Sequence, residues 1–350
     1  MPTITPNSLS AEGLSFSDIS TPGISRERLA KGWGYYWQGK RIGDDETIRR
    51  LDALGLPPAY ERCWFCADAA GHIQAIGYDR RGRRQYCYHP HFRSEREHDK
   101  FDRCAPFGRA LPALRRRIDR DLGRRVYDKT TIVAAIVHLL DIARLRIGGR
   151  QYVRDNGSFG ATTLRKRHAQ VSGQKLKLQF RAKSGKEAVY LINDRVLARV
   201  VRRCQELPGQ ALFSYRDQAG EPRDVNSQDV NAYLKDVMGS NFTAKDFRTW
   251  GASLIAYQAL SSAAAGAQAG ATFKSMLATV AEALGNTPAM ARKAYIHPRL
   301  IAMAKDRNFI PGRGGRATRY LSRAERGLIT LLETTAVKVQ EINATNPSYS

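Results

Sequence analysis

The apolar positions of this chain follow two different periods. Between residues 25 and 105 they come in short runs suited to strands: WGYYW (33–37), CWFCA (63–67), IQAIGY (73–78) and RQYCYHP (84–90). The segments DAAGH (68–72) and DRRGR (79–83) separate them and carry good turn residues. LPPAY (56–60) is a proline-punctuated loop. From His91 to about Leu122 the pattern becomes helical, with Phe92, Phe101, Phe107, Leu111, Leu114 and Ile118 spaced among arginines. Gly123 to Tyr127 breaks it and reads as a linker between two domains.

Asp128 then caps a strong helix whose stripe is Ile132, Val133, Ile136, Leu139, Leu140 and Ala143. That helix is expected to stop at Arg144-Leu-Arg-Ile-Gly-Gly, which puts Arg146 at a helix terminus. QKLKLQF (174–180) alternates strictly, with Leu176, Leu178 and Phe180 on one face, and EAVYLIN (187–193) matches it. RAKSGK between them is a hairpin tip carrying Lys183. Residues 194–205 and 227–238 read as amphipathic helices flanking the loop FSYRDQAGEPRD. A further helix starts near Thr243, a candidate cap, with Arg248 in its first turns. The alanine-rich segment 259–283 reads as a helical core spacer, followed by a short helix from Thr287-Pro288 that carries Tyr295 two turns on. Arg292, Lys293 and His297 flank that tyrosine. GRGGRATR (312–319) reads as a flexible basic linker, and residues 322–342 as a last helix with a clear cap and stripe.

Composition sharpens this picture. The 350 residues allow two or three domains. The 57 Lys and Arg against 33 Asp and Glu leave a net charge of +24, the electrostatic footprint of a protein that binds a polyanion, most simply nucleic acid. A membrane is the rival partner for such charge. No basic amphipathic helix with a Trp/Phe/Leu face is visible, and no apolar run approaches the roughly 18 residues of a membrane helix. The first 24 residues lack a basic segment followed by an apolar one and read as a disordered leader, not a secretory signal. Five scattered cysteines fit a reduced, cytoplasmic compartment. Cys63 and Cys66 have zinc-like spacing with Cys87, His89 and His91 downstream, but no second tight pair follows and the segment is strand-like, so packing is the better account. There is no P-loop, GxGxxG or HExxH, and no acidic cluster with metal-binding spacing stands out.

Taken singly, the chemistry-bearing residues are weak signals. A tyrosine is more often packing than catalytic, a lysine on a turn is usually only solvated, and an arginine after a helix complements its dipole. Around the turn at 79–83, arginines interleave with Gln85, Tyr86 and Tyr88, a mixture suited to phosphate and base contact; a solvated basic edge strand is the plainer alternative.

The order Arg146, Lys183, Arg248, Asn286, Tyr295 changes their weight. It resembles the catalytic set of the type IB DNA topoisomerases, in the compact form shared by bacteria and poxviruses. Four separated motifs carry the resemblance: RIGGRQYVRDNGSFGATTLRKRH (146–168), FRAKSGK (180–186), TAKDFRTW (243–250) and LGNTPAMARKAYIHP (284–298). Residues 56–90 are similar to the family's β-rich clamp domain, so the likeness spans roughly residues 25–300. It implies an α+β fold: a β-rich N-terminal domain (25–122), a mostly helical catalytic domain with a small β-hairpin sheet (123–320), and a C-terminal helix and tail (321–350), closing as a C-shaped clamp on double-stranded DNA.

The resemblance also assigns roles. Tyr295 is the nucleophile that forms a 3′-phosphotyrosyl bond, Arg146 and Arg248 stabilise the transition state, and Lys183 protonates the leaving oxygen. Many relatives have histidine where this chain has Asn286, which offers a neutral hydrogen bond to a phosphoryl oxygen. Gln85, Tyr86, Tyr88 and Tyr152 are DNA-binding by motif, with Arg83 and Arg84 as phosphate contacts on charge. A phosphotyrosine diester conserves bond energy, so no ATP is needed, and arginine and lysine supply the charge a metal otherwise would. A monomer in the nucleoid-containing cytoplasm is expected. A tyrosine recombinase shares this chemistry, but looks for histidine two or three residues before its second arginine, where this chain has Lys245-Asp246-Phe247-Arg248. A catalytically dead DNA clamp is the other alternative; all five positions hold competent residues.

Overall fold

The computed structural model describes residues 9, 13–124, 126–239, 242–266 and 273–345. The chain divides into two compact units, Met1–Asp99 and Lys100–Ser350. The smaller holds two three-stranded antiparallel sheets. One is β1 (Ser25–Arg28), β2 (Trp33–Trp37) and β3 (Lys40–Arg41), followed by helix α1 (Asp45–Ala53), whose start is capped by the Asp44 carboxylate accepting from the Thr47 N–H. The other is β4 (Glu61–Phe65), β5 (Ile73–Tyr78) and β6 (Arg84–Tyr88). Ile24, Tyr35, Leu51, Phe65 and Ala75 form the core between them. On β6 the period of two puts Cys87 against that core and leaves Tyr86 and Tyr88 outside, each 42% exposed, with rings stacked 5.9 Å apart.

Residues 13–24 of the expected disordered leader are ordered. Residues 1–8 and 10–12 lie outside the described residues, but 13–24 form a strap along the second sheet. Ser15 bridges Gly71, Ile24 exchanges backbone hydrogen bonds with Phe65, and the Trp64 indole donates to the Thr21 carbonyl over 3.0 Å. Gly23 is what lets that indole lie flat on the strap, since a side chain there would overlap it. Cys63 and Cys66 are free thiols with separate neighbours, the Tyr60 carbonyl and the Ser17 hydroxyl.

Helix α2 (Pro90–Asp102) leads into the larger unit, and α3 (Cys104–Gly123) is buried within it. The domain border therefore falls at residue 99, not in the expected linker at 123. Phe107, Leu111, Leu114 and Ile118 are at most 2% exposed because they pack into the same core as α4 (Lys129–Ala143). A break at Gly123 is a turn between two packed helices, and a local pattern cannot tell such a turn from a border.

The rest of the larger unit is helical around one small sheet. After α5 (Arg150–Asn156) come β7 (Ala169–Ser172), β8 (Lys175–Arg181) and β9 (Glu187–Asn193), antiparallel in that order, with Leu176, Leu178 and Phe180 turned inward. Helix α6 (Arg195–Glu206), the hairpin β10 (Ser214–Arg216) and β11 (Pro222–Asp224), and α7 (Ser227–Met238) follow. Helix α8 begins at Asp246, not Thr243: the Asp246 carboxylate reaches back to the Thr243 N–H and hydroxyl. It runs to Ala264, and α9 covers Phe273–Leu284, so the alanine-rich stretch is two helices; residues 267–272 lie outside the described ones. Short helices α10 (Pro288–Ala294) and α11 (Pro298–Lys305) precede α12 (Arg323–Thr345).

The first turns of helix α12 are part of the core, not an appendage. Leu328, Ile329, Leu331 and Leu332 are buried, and Glu325 shares the Arg115 guanidinium with Asp141, both at 2.7 Å. The GRGGRATR segment is likewise no free linker. Gly312 and Gly314 lie so close to the α12 backbone at Gly327 that neither has room for a side chain, and Gly327 itself rests on the Tyr257 ring. Among the described residues, no helix is long and apolar enough to cross a membrane.

Candidate active site

The larger unit brings five chemistry-bearing side chains from five separate segments toward one place. Arg146 comes first. Helix α4 ends at Ala143, where Arg144 adopts a left-handed conformation (φ 54°) and its N–H bonds back to Leu140. Arg146 therefore lies two residues past the cap in an irregular segment, not on the helix terminus as its spacing suggests. The segment is anchored by buried Leu145 and by the Arg146 carbonyl, which accepts from the Ala161 N–H at 2.9 Å. Gly148 (φ 88°) and Gly160 permit this close crossing, because a Cβ on Gly160 would collide with the backbone of residues 146–148. The Arg146 guanidinium donates to the Asn286 Oδ1 at 2.5 Å.

Asn286 stands at the end of α9, where Gly285 (φ 60°) turns the chain and the Asn286 N–H bonds to the Ala281 carbonyl. With its oxygen taken by Arg146, its amide nitrogen is buried with no partner among the described residues. Arg248, on the first turn of α8, is 3% exposed. It donates to the carbonyls of Arg144 (2.6 Å) and Leu284 (2.9 Å), tying together the segments that carry Arg146 and Asn286. Its Nε is also buried, with no partner among the described residues. Such orphaned donors are costly unless something arrives to accept from them.

Tyr295 is the residue at which α10 ends. Thr287 caps the helix start by accepting from the Met290 N–H, Pro288 occupies the first position, and Tyr295 leaves helical geometry at φ −133°. The Arg248 guanidinium lies 4.8 Å from the centre of its ring. Burial alone pushes the phenol pKa up, but the charge and close approach of Arg248, with Arg146 and Lys183 adding, leave it lowered overall. Lys183 sits exposed on the β8–β9 tip, where Ser184 takes φ 67° and the Ala182 N–H bonds to the Lys186 carbonyl.

The cations around the phenol come from far along the chain, and its sequence neighbours contribute little. Arg292 and Lys293 are exposed, and Arg292 lies over Phe273. His297 is not a cation: burial, helped by Arg299, pushes its pKa down to about 4. Its ring accepts from the Arg299 N–H and caps α11.

Some participants carry no signal in the sequence. Tyr190 on β9 is within the field of Arg248 and Arg146, and burial raises its pKa against them. Its alternation with Ala188 and Ile192 marks it only as inward-facing. The Arg144 carbonyl, which holds Arg248, belongs to the backbone and leaves no trace in residue type.

The residues expected to meet DNA occupy surface positions. Tyr152 on α5 is 57% exposed. In the smaller unit, Arg83 is ion-paired to Asp79 at 2.7 Å, and Gln85 donates to the same carboxylate at 3.2 Å. Arg84 donates to the hydroxyls of Tyr78 and Tyr86. Asp79 is thus an anion set among cations, with a pKa lowered to about 2, chiefly by its hydrogen bond from Arg83.

Comparison with known proteins gives this arrangement its class. Residues 89–309 match the family model described as eukaryotic DNA topoisomerase I, catalytic core. Residues 32–79 match that of the bacterial DNA topoisomerase IB N-terminal domain. The chain is 35% identical over 243 residues to DNA topoisomerase 1B of Acanthamoeba polyphaga mimivirus, covering 68% of this chain and 72% of the relative. It is 23% identical over 258 residues to DNA topoisomerase 1B of vaccinia virus, covering 72% and 78%. Among solved structures, the XerH site-specific recombinase bound to its palindromic difH substrate aligns with 57% of this chain and 49% of its own, at a TM-score of 0.36 and 14% identity. The chain belongs to the type IB DNA topoisomerases, a family of isomerases that act on DNA.

Proposed function

We propose that Tyr295 is the nucleophile of a strand-swivelling reaction that relaxes supercoiled duplex DNA without ATP. Its oxygen attacks a backbone phosphorus, the phenol proton is lost to solvent, and the bond to the 5′ oxygen breaks. Lys183 gives that oxygen a proton, leaving a free 5′ hydroxyl and a 3′-phosphotyrosyl ester. Arg146 and Arg248 neutralise the charge that accumulates on the pentacoordinate phosphorus, and Asn286 donates a neutral hydrogen bond to one of its oxygens. After the broken strand swivels, the reverse attack reseals it and frees Tyr295. The ester conserves the energy of the bond it replaces, so no nucleotide need be consumed.

One observation carries this reading: two buried donors with no partner among the described residues, Arg248 Nε and Asn286 Nδ2, belong to the residues around a tyrosine whose pKa is lowered by three cations. A phosphodiester supplies acceptors and negative charge together. Arg83, Arg84, Gln85, Tyr86, Tyr88 and Tyr152 are the duplex contacts in this account. The exposed, stacked Tyr86–Tyr88 pair and exposed Tyr152 support those assignments. The family resemblance supports a C-shaped clamp around the duplex, acting as a monomer in the nucleoid-containing cytoplasm.

Relaxation of supercoiled plasmid in EDTA without ATP, stopped with detergent, tests the reading. Wild type should relax the plasmid and become trapped on a 3′ end, and Tyr295→Phe should bind DNA but relax none. An inert wild type, or one that requires a nucleotide, would overturn it.

A further inference from the structure

Tyr295 occupies an unusual place for a residue whose phenol oxygen must be aimed accurately. It is the first residue beyond a helix of seven, where the last carbonyls have no partner inside the helix. Its backbone is nonetheless held on both sides. The Tyr295 N–H bonds to the Ala291 carbonyl at 3.1 Å, and the carbonyl at the other edge of that same peptide, Ala294 O, accepts from the Lys100 ammonium at 3.0 Å. Two peptides further on, the His297 N–H donates to the Ser253 hydroxyl at 3.0 Å.

Lys100 lies 194 residues before Ala294, on α2, and is 9% exposed. Its ammonium is also 4.0 Å from the centre of the Phe101 ring, which packs edge-on against His297 at 5.6 Å. Burying an ammonium is expensive, and an apolar side chain would fill the same volume at less cost. What an apolar side chain cannot do is donate to the carbonyl that sets the Ala294–Tyr295 peptide plane.

We infer that Lys100 is a positioning residue for the nucleophile, fixing the peptide plane from which the Tyr295 side chain departs. The inference rests on Tyr295 being the nucleophile. A swing of about ten degrees at that plane moves the phenol oxygen by about 1 Å, a displacement that can cost about a hundredfold in rate. The ammonium acts through geometry and not through its field, so the Lys100 charge should be dispensable wherever a donor of equal reach remains.

The test is single-turnover cleavage by Lys100→Met and Lys100→Arg on a duplex, with DNA affinity and thermal melting measured alongside and Tyr295→Phe as the blank. Lys100→Met should cut and reseal at least about tenfold more slowly, by the same factor at every pH, with DNA affinity within about twofold of wild type. Lys100→Arg, which keeps a donor, should recover most of the loss. A 5′-bridging sulfur, which makes the leaving group good without a proton, should rescue a Lys183 substitution but not Lys100→Met. Wild-type cleavage by Lys100→Met overturns the inference and leaves the nucleophile assignment intact. So does a loss that shifts the pH profile, or one in a normally melting Lys100→Arg as large as in Lys100→Met. A wild type that forms no covalent complex overturns both.

Discussion

The Arg248 guanidinium and the Tyr295 ring face each other at 4.8 Å, although one lies on the first turn of a long buried helix and the other just past the end of a short one. Arg248 holds the Arg144 and Leu284 carbonyls with the same group that lowers the phenol pKa. A single side chain thus joins the architecture of the site to its electrostatics.

The first consequence concerns pH. In the proposed reaction the Tyr295 phenolate attacks, and the cations favour that form, so single-turnover cleavage should rise with pH and level off below the ordinary phenol pKa of about 10. Arg146→Ala removes one of those cations and should move the plateau to higher pH, besides slowing cleavage about a hundredfold or more. An unmoved plateau would show that Arg146 does not act on the phenol.

The two arginines should differ in what they do for stability. Arg248→Ala orphans two carbonyls and leaves a cavity, at about 1–3 kcal/mol for each buried group left unpaired, and should lower the melting temperature by roughly 5 °C or more. Arg146 is less buried and has one side-chain partner, Asn286, so Arg146→Ala should melt within about 2 °C of wild type. Thermal melting without DNA checks both; equal losses would refute the distinction.

Asp79 offers a test in the smaller unit. Its carboxylate, ionised at neutral pH, pairs with Arg83 and orients Gln85. Asp79→Asn should release Arg83 from this ion pair, strengthening duplex binding at low salt and steepening the log affinity against log salt plot by about one. An unchanged slope in a salt titration would remove Arg83 from the contact set.

His297 makes the fold sensitive to acid. Its folded pKa of about 4 lies below the ordinary histidine value, so between the two the unfolded chain binds more protons. Stability should therefore fall as pH drops from about 6.5 through 4, by up to about 2–3 kcal/mol from this residue. His297→Asn, which keeps an acceptor for the Arg299 N–H, should flatten that part of a melting-temperature profile. A profile with the same slope would place the acid sensitivity elsewhere.

Several elements are legible in the chain because their causes are local. The β8–β9 hairpin follows from strict alternation on either side of a glycine-containing tip, and α4 from an aspartate cap and an apolar stripe. Other features have no local cause. Residues 13–24 look like leader because a strap without its own period is held only by the sheet it lies on. GRGGRATR looks like a linker because glycine signals flexibility until a second backbone is close enough to require it.

The site divides the same way. Residue types and their order along the chain, Arg146, Lys183, Arg248, Asn286 and Tyr295, are determined by sequence alone, and so is the charge that demands a polyanionic partner. Which cations act on the phenol is decided only by the tertiary structure. The adjacent Arg292, Lys293 and His297 turn out exposed or neutral, whereas Arg248, Arg146 and Lys183 arrive from distant segments. The reason is physical: pKa shifts and hydrogen bonds depend on distance and burial in space, and separation along the chain constrains neither once the core has packed.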